Sequence, residues 1–195
     1  MNSAQDFLRS RRSVRRFKPE PIPDSVIERI LTTATYAPSA HNRQPWRFVI
    51  IKNTDVRSRL AKTLTDKMCL DMQAESATES ELEKRVTNSL RRIDEAPVII
   101  MLCRDVTDVR VNTPEETIMN IQSTALAGFQ LLLAAHAEGL GGNWICWPLY
   151  ATKETQSVLN LPETWEPQAM IMIGSSFETP AMRERKTLEE IVIRR

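Results

Sequence analysis

The densest run of chemistry-bearing residues lies near the N-terminus. Arg11-Arg12-Ser13-Val14-Arg15-Arg16-Phe17 sits in a window with six basic residues between positions 9 and 18. Guanidinium forks grip phosphate through paired hydrogen bonds, and a serine hydroxyl adds a donor. The run therefore reads either as a phosphomonoester site or as a solvated helix end. A second candidate is Ala37-Pro38-Ser39-Ala40-His41-Asn42-Arg43-Gln44-Pro45-Trp46. Ser39, Asn42 and Gln44 mix donors and acceptors as reading the edge of a heterocycle requires, and two prolines stiffen the segment; a turn satisfying only its own backbone would use the same residues. In Gly139-Leu140-Gly141-Gly142-Asn143-Trp144-Ile145-Cys146-Trp147-Pro148 the glycines permit close backbone approach. Its two tryptophans suit either a flat ligand or the core. Arg183-Glu184-Arg185-Lys186 is a fourth, basic group, which alone reads as surface decoration.

Composition removes several other functions. The chain has 195 residues and only 5 glycines, where ordinary usage would give about 14. It has neither a P-loop nor a G-x-G-x-x-G turn, both of which need glycines at fixed spacing. A formal net charge of +1 provides no overall field for nucleic acid or an anionic membrane, so a nucleic-acid-binding module built on residues 9–18 is disfavoured and any anion site must be local. Cys69, Cys103 and Cys146 are too few for a disulfide framework and contain no C-x-x-C pair, which points to a reducing, cytoplasmic setting. No secretory leader is legible at the N-terminus. His41 and His136 are too few and too separated for a metal site, so none is expected. His136 reads as a satisfied core residue and Trp165 as a packing anchor.

These candidates need elements to position them. A short helix over 3–10 is followed by a proline-set extended segment, then by a helix from Asp24 or Ser25 whose Val26, Ile27, Ile30, Leu31 and Ala34 share a face. Residues 46–51 read as a strand, and a helix follows from about Thr54. The acidic, small-residue stretch 71–81 reads as a loop or lid, before a helix carrying Leu82, Val86, Leu90 and Ile93. Residues 97–103 are apolar on both faces and predict a central, doubly covered strand. The 114–138 helix is apolar but interrupted by Asn120, Gln122, Ser123, Thr124, Gln130 and His136, so it reads as a buried central helix rather than a membrane span. Gly139 is its left-handed stop. Residues 143–147 and 168–173 are further strands, and a polar tail ends in Leu188-Glu189-Glu190-Ile191-Val192-Ile193. The organisation is one domain over 1–195, a sheet with helices on both sides.

Taken together, the four segments resemble, in order and across essentially the whole chain, the FMN-dependent nitroreductase superfamily. The resemblance implies an α+β fold: a three-layer α/β/α sandwich with a central mixed, mainly antiparallel sheet, in an obligate homodimer. It implies that Arg11, Arg12, Ser13 and Arg15, with Arg183 and Arg185, hold the phosphate and ribityl chain of FMN. Pro38, Ser39, Ala40, Asn42 and Gln44 would come from the partner subunit, with the backbone near Cys146 and Trp147 beside the flavin ring. Catalysis would then be flavin chemistry with no covalent residue, passing hydride from NAD(P)H to a small electron-poor acceptor, of nitroaromatic or quinone type, by a ping-pong mechanism. The middle of the chain is similar to the subgroup related to the C-terminal domain of the deazaflavin-coenzyme glutamyl ligase. That implies an alternative, a reductase or binding protein for a deazaflavin coenzyme or its precursor, with Lys67, Asp71 and the 71–81 stretch forming an extra pocket. His41, inside the ring-reading loop, is a further substrate-contact candidate. The apolar 114–138 helix has more hydrophobic surface than one small sheet face covers, which also points to a dimer.

Overall fold

The computed structural model describes residues 3–195. Its centre is β2 (Val98–Asp105), buried at every position: Val98 to Cys103 are apolar towards both faces, and the charged Arg104 and Asp105 at its end are paired with Glu166 and Arg47. Beside it lie β1 (Trp46–Ile51) and β4 (Trp165–Gly174), and β3 (Gly141–Ile145) closes the far edge. The order is β1-β2-β4-β3, with every strand pair antiparallel. The one parallel pairing among the described residues is an isolated bridge from Ser13 to Gly142.

Strand alternation sends Val98, Ile100, Leu102, Ala169, Ile171 and Ile173 into one core, under α2 (Asp24–Ala34) and α5 (Pro114–Ala137). Ile99, Met101, Cys103, Met170 and Met172 enter the other, under α3 (Thr54–Ala74), α4 (Glu79–Glu95) and α6 (Thr152–Leu159). This is the expected three-layer α+β sandwich. Two short helices, α1 (Ala4–Ser10) and α7 (Leu188–Ile191), lie near the chain ends. His136 is satisfied as expected but is half-buried rather than a core residue: its ring stacks on Phe7 at 4.9 Å and its Nε2 lies 2.8 Å from Ser10 Oγ, which fastens α1 to α5. Trp165 packs against the second core, with the Arg47 guanidinium 5.9 Å from its ring centre.

Three readings of the sequence change. The 71–81 stretch is not a loop: α3 runs to Ala74 and α4 begins at Glu79, leaving a turn over 75–78 in which Ser76 takes a φ of 61°. Thr78 and Glu81 form a reciprocal cap, so acidic residues that look like loop composition are the charged first turn of a helix. The strand expected over 143–147 is Gly141–Ile145, and Trp147 instead opens a 3-10 turn running to Tyr150. Finally, α5 is buried on one face only, and that face is built largely from small and polar residues. Asn120, Ser123, Thr124, Ala127, Gly128 and Ala135 point inward, while Ile118, Ile121, Leu126 and Phe129 are exposed. Asn120 is tolerated inside because its Nδ2 donates to the carbonyls of Asp105 and Asp108 at 3.0 and 3.2 Å.

Candidate functional site

The basic N-terminal run is laid against the β3 edge by backbone hydrogen bonds. Val14 N–H donates to Gly142 O at 3.0 Å, Lys18 N–H to Ser175 O at 2.9 Å, and Phe177 N–H returns to Arg16 O at 3.0 Å. Val14 and Phe17 point into the core, so their neighbours must face out. The approach depends on Gly141: a Cβ there would stand 2.6 Å from Val14 Cγ2. Arg11, Arg12, Ser13 and Arg15 thereby meet Arg183 and Arg185 from the C-terminal segment around a cavity of about 340 Å³.

None of these five arginines forms an ion pair among the described residues. Burial, then the neighbouring Arg12 and Arg185 charges, push the Arg11 pKa below its ordinary value. The one carboxylate on the wall, Glu178, accepts the Arg15 backbone N–H at 2.6 Å. Clustered guanidiniums, that of Arg11 partly buried, with no carboxylate ion-pair partner among the described residues make a surface that favours a multivalent anion.

The second candidate segment lies elsewhere. Ala40–Asn42 is a 3-10 turn preceding β1, and Ala40 N–H donates to Ser123 Oγ of α5 at 3.1 Å. Within the loop Ser39 Oγ accepts from Gln44 N–H at 3.1 Å and Gln44 Nε2 donates to Asn42 Oδ1 at 3.2 Å. His41, Asn42 and Gln44 all take positive φ, at 53°, 54° and 52°, a left-handed geometry that costs non-glycine residues energy and collects at functional sites. His41, Asn42 and Gln44 are exposed, and Pro38 is exposed at the loop's start. His41 Nε2 is 3.9 Å from the buried Glu116 carboxylate. The loop leads into β1, at one edge of the sheet, whereas the arginine cavity borders β3 at the other. Three strand spacings, about 14 Å, separate those edges, so one protomer does not bring the two segments together.

The third segment divides across the sheet. Trp144 packs in the α5 core over Gly128, and Trp147 packs against the opposite core. Trp144 Nε1 donates to the exposed Cys146 Sγ at 3.0 Å. Cys146, Trp147 and Tyr150 form one wall of a second cavity of about 400 Å³, faced by Met68, Asp71 and Met72 of α3 and by Arg85, Ser89 and Arg92 of α4. Asp71 thus stands where a substrate contact was expected, with Lys67 as its ion-pair partner one helical turn back. His41 does not line this cavity. Of the α4 residues, Arg85 and Arg92 enter the sequence reading only among the residues that carry the subgroup resemblance, and Ser89 not at all, although their i, i+4, i+7 spacing is visible there.

Comparison with known proteins agrees with this frame. Residues 8–175 match the Nitroreductase family, and the chain belongs to that family of oxidoreductases. The 5,6-dimethylbenzimidazole synthase of Rhodobacter capsulatus is 32% identical over 173 residues, covering 87% of this chain and 81% of that protein. Among solved structures, a BluB-like flavoprotein from Clostridium difficile superposes with a TM-score of 0.83 at 27% identity, over 99% of both chains. The NADPH:FMN oxidoreductase of Vibrio harveyi, complexed with NAD+, superposes at 0.80 and 20% identity, covering 99% of this chain and 77% of that one.

Proposed function

We propose that the chain is a homodimeric, FMN-dependent oxidoreductase, a single FMN-binding domain over 1–195, that uses NAD(P)H to reduce a small electron-poor acceptor of nitroaromatic or quinone type. The observation that carries the reading is the cavity ringed by five arginines without ion-pair partners in a nitroreductase-family chain. Its residues fit FMN: a phosphomonoester bears close to two negative charges at neutral pH, and this wall offers guanidiniums and the Ser13 hydroxyl against one carboxylate. Arg11, Arg12, Ser13, Arg15, Arg183 and Arg185 would hold the phosphate end. Bound FMN supplies the hydride chemistry between donor and acceptor, in two alternating half-reactions.

The protein's own residues bind and orient. The Cys146–Trp147 backbone forms the rigid wall beside the reacting face, and the 400 Å³ cavity in front of it is the place for donor or acceptor. Cys146 is a structural neighbour with no covalent role. Pro38, Ser39, Ala40, Asn42 and Gln44 complete the site from the partner. This is supported by the opposite-edge placement of loop and arginines, by the exposed Ile118, Ile121, Leu126 and Phe129 on α5, the helix to whose inward Ser123 the loop is fastened, and by the exposed Leu188, Ile191, Val192 and Ile193 of the tail. The free cysteines suit a reducing, cytoplasmic compartment.

Purified protein should be yellow, and NAD(P)H should bleach the flavin band anaerobically. A colourless protein that cannot be reconstituted with FMN overturns the proposal. The α3–α4 cavity favours one second reading, a deazaflavin coenzyme or its precursor as the molecule bound there, tested by titrating the reduced protein with that coenzyme. Release of 5,6-dimethylbenzimidazole on aerobic incubation with FMN and NAD(P)H, which supplies the reduced flavin that oxygen attacks, would instead align the chain with its Rhodobacter relative.

A further inference from the structure

The cavity beside Cys146 has a charged wall on α4, an element that carries none of the residues assigned to the FMN phosphate. Arg85, Ser89 and Arg92 recur at i, i+4 and i+7 along α4, so all three project from one stripe of the helix. The stripe faces Trp147 and Tyr150 across the 400 Å³ cavity and also lines an adjoining cleft of about 640 Å³. Neither arginine has an ion-pair partner among the described residues. Arg92 Nε is buried with no hydrogen-bond partner, a cost that a native site carries only when something else meets the donor. Of the nearby acids, Asp71 is taken by Lys67 and Glu81 by the Thr78 cap, while Glu75 on the cavity wall and Glu178, whose charge reaches Arg92, form no ion pair with either arginine among the described residues.

We propose that Arg85, Ser89 and Arg92 form an anion subsite that reads a carboxylate or phosphate on the small molecule bound against Trp147 and Tyr150. Guanidiniums projecting from a rigid helix match a planar carboxylate or a phosphate, while the aromatic wall takes the rest of the ligand. Burial, then the neighbouring Arg15 and Arg91 charges, lower the Arg92 pKa, and Glu178 offsets part of this. The anionic group can belong to the acceptor or be the 2′-phosphate of NADPH. This rests on the oxidoreductase reading for the identity of the bound molecule, and it narrows the substrate to molecules carrying negative charge.

Arg85→Gln, Arg92→Gln and Arg92→Lys are compared with the parent holoenzyme using 4-nitrobenzoate against 4-nitrobenzamide, and NADPH against NADH. For either Gln variant the charged-to-uncharged KM ratio should rise roughly tenfold, the loss expected for one charge-assisted hydrogen bond, with Arg92→Lys intermediate. A rise confined to the acceptor pair assigns the anion to the acceptor, and one confined to the nicotinamide pair assigns it to the 2′-phosphate. Unchanged ratios in both pairs, or a fall in FMN content as the only effect, overturn the proposal. Because Arg85 is exposed, its variant stands even if Arg92→Gln fails to fold. Calorimetric titration with 4-nitrobenzoate and NADPH gives a readout independent of turnover. If the protein takes no FMN, the oxidoreductase reading fails while the same titration of the apoprotein still decides the subsite: binding weakened by Arg85→Gln supports it, and equal binding refutes it.

Discussion

Gly141→Ala perturbs the flavin site without touching any proposed ligand of it. Gly141 is not in the left-handed region, so alanine suits the backbone and the effect is purely steric. The new Cβ would lie 2.6 Å from Val14 Cγ2, 2.7 Å from Val14 Cβ and 3.0 Å from Val14 Cγ1, against a comfortable carbon separation of ~3.5–4.0 Å. The segment must therefore retreat by about 1 Å. If it stays docked, overpacking costs ~1–3 kcal/mol. If it lets go, it loses the Val14 N–H bond to Gly142 O, ~0.5–1.5 kcal/mol, and the burial of a side chain now 5% exposed, ~1.5–3 kcal/mol. Strain is the cheaper outcome, so a loss of ~1–3 kcal/mol is expected, which for a chain of this length lowers Tm by roughly 2–12 °C. Ser13 and Arg15 flank Val14 and move with it, misaligning charge-assisted bonds of ~1.5–3 kcal/mol each. The FMN Kd, read by quenching of flavin fluorescence, should rise roughly tenfold or more. A lowered Tm with unchanged Kd would refute the assignment of the phosphate to this segment.

Three further outcomes follow from local packing and charge. Gly128→Ala would gain up to ~1 kcal/mol in helix propensity, but its Cβ falls 2.3 Å from Trp144 Cζ3 and 2.6 Å from Leu102 Cδ2; overpacking of ~1–3 kcal/mol wins, so thermal unfolding should show net destabilisation. Hydrogen bonds from Arg104 at 2.7 and 3.0 Å hold the Glu166 pKa below its ordinary 4.5. That pair's stabilisation is therefore complete above pH 4.5 and lost as pH falls through the lower folded value, and the Tm gap between parent and Glu166→Gln should close on acidification. Burial pushes the Cys103 thiol up to about 12, so iodoacetamide near pH ~8 should label the exposed Cys146 and leave Cys103 untouched, with FMN slowing the Cys146 reaction in peptide mass spectra.

What could be read from sequence follows what is local. β2 and β4 are apolar runs whose burial needs no partner to recognise, and Gly139 announces the end of α5 with a φ of 75°. The 71–81 stretch misleads because an exposed helix turn has no apolar stripe to reveal it; its signal is the Thr78–Glu81 cap. From the sequence, Gly141 and Gly142 read only as permitting a close backbone approach, and the structure makes them the first residues of β3. A Cβ on them would meet Val14 and Leu132, residues remote in sequence. The outward Ile118, Ile121, Leu126 and Phe129 of α5 look like core until Asn120, Ser123 and Thr124 are seen to take the inward positions. The arginine cluster is legible as a group of types, but the absence of carboxylate ion-pair partners among the described residues, on which the proposed anion site rests, appears only in the fold.

Subunit complementation tests the split site most directly. Arg12→Gln/Arg15→Gln weakens the arginine half and Asn42→Ala/Gln44→Ala the loop half, and each homodimer should fail to retain FMN through gel filtration. In the heterodimer, isolated with two different affinity tags, one of the two shared sites carries all the substitutions and the other none. A site shared between protomers predicts one FMN retained per heterodimer and half the parental activity per dimer, whereas a heterodimer as empty as its parents would contradict the account.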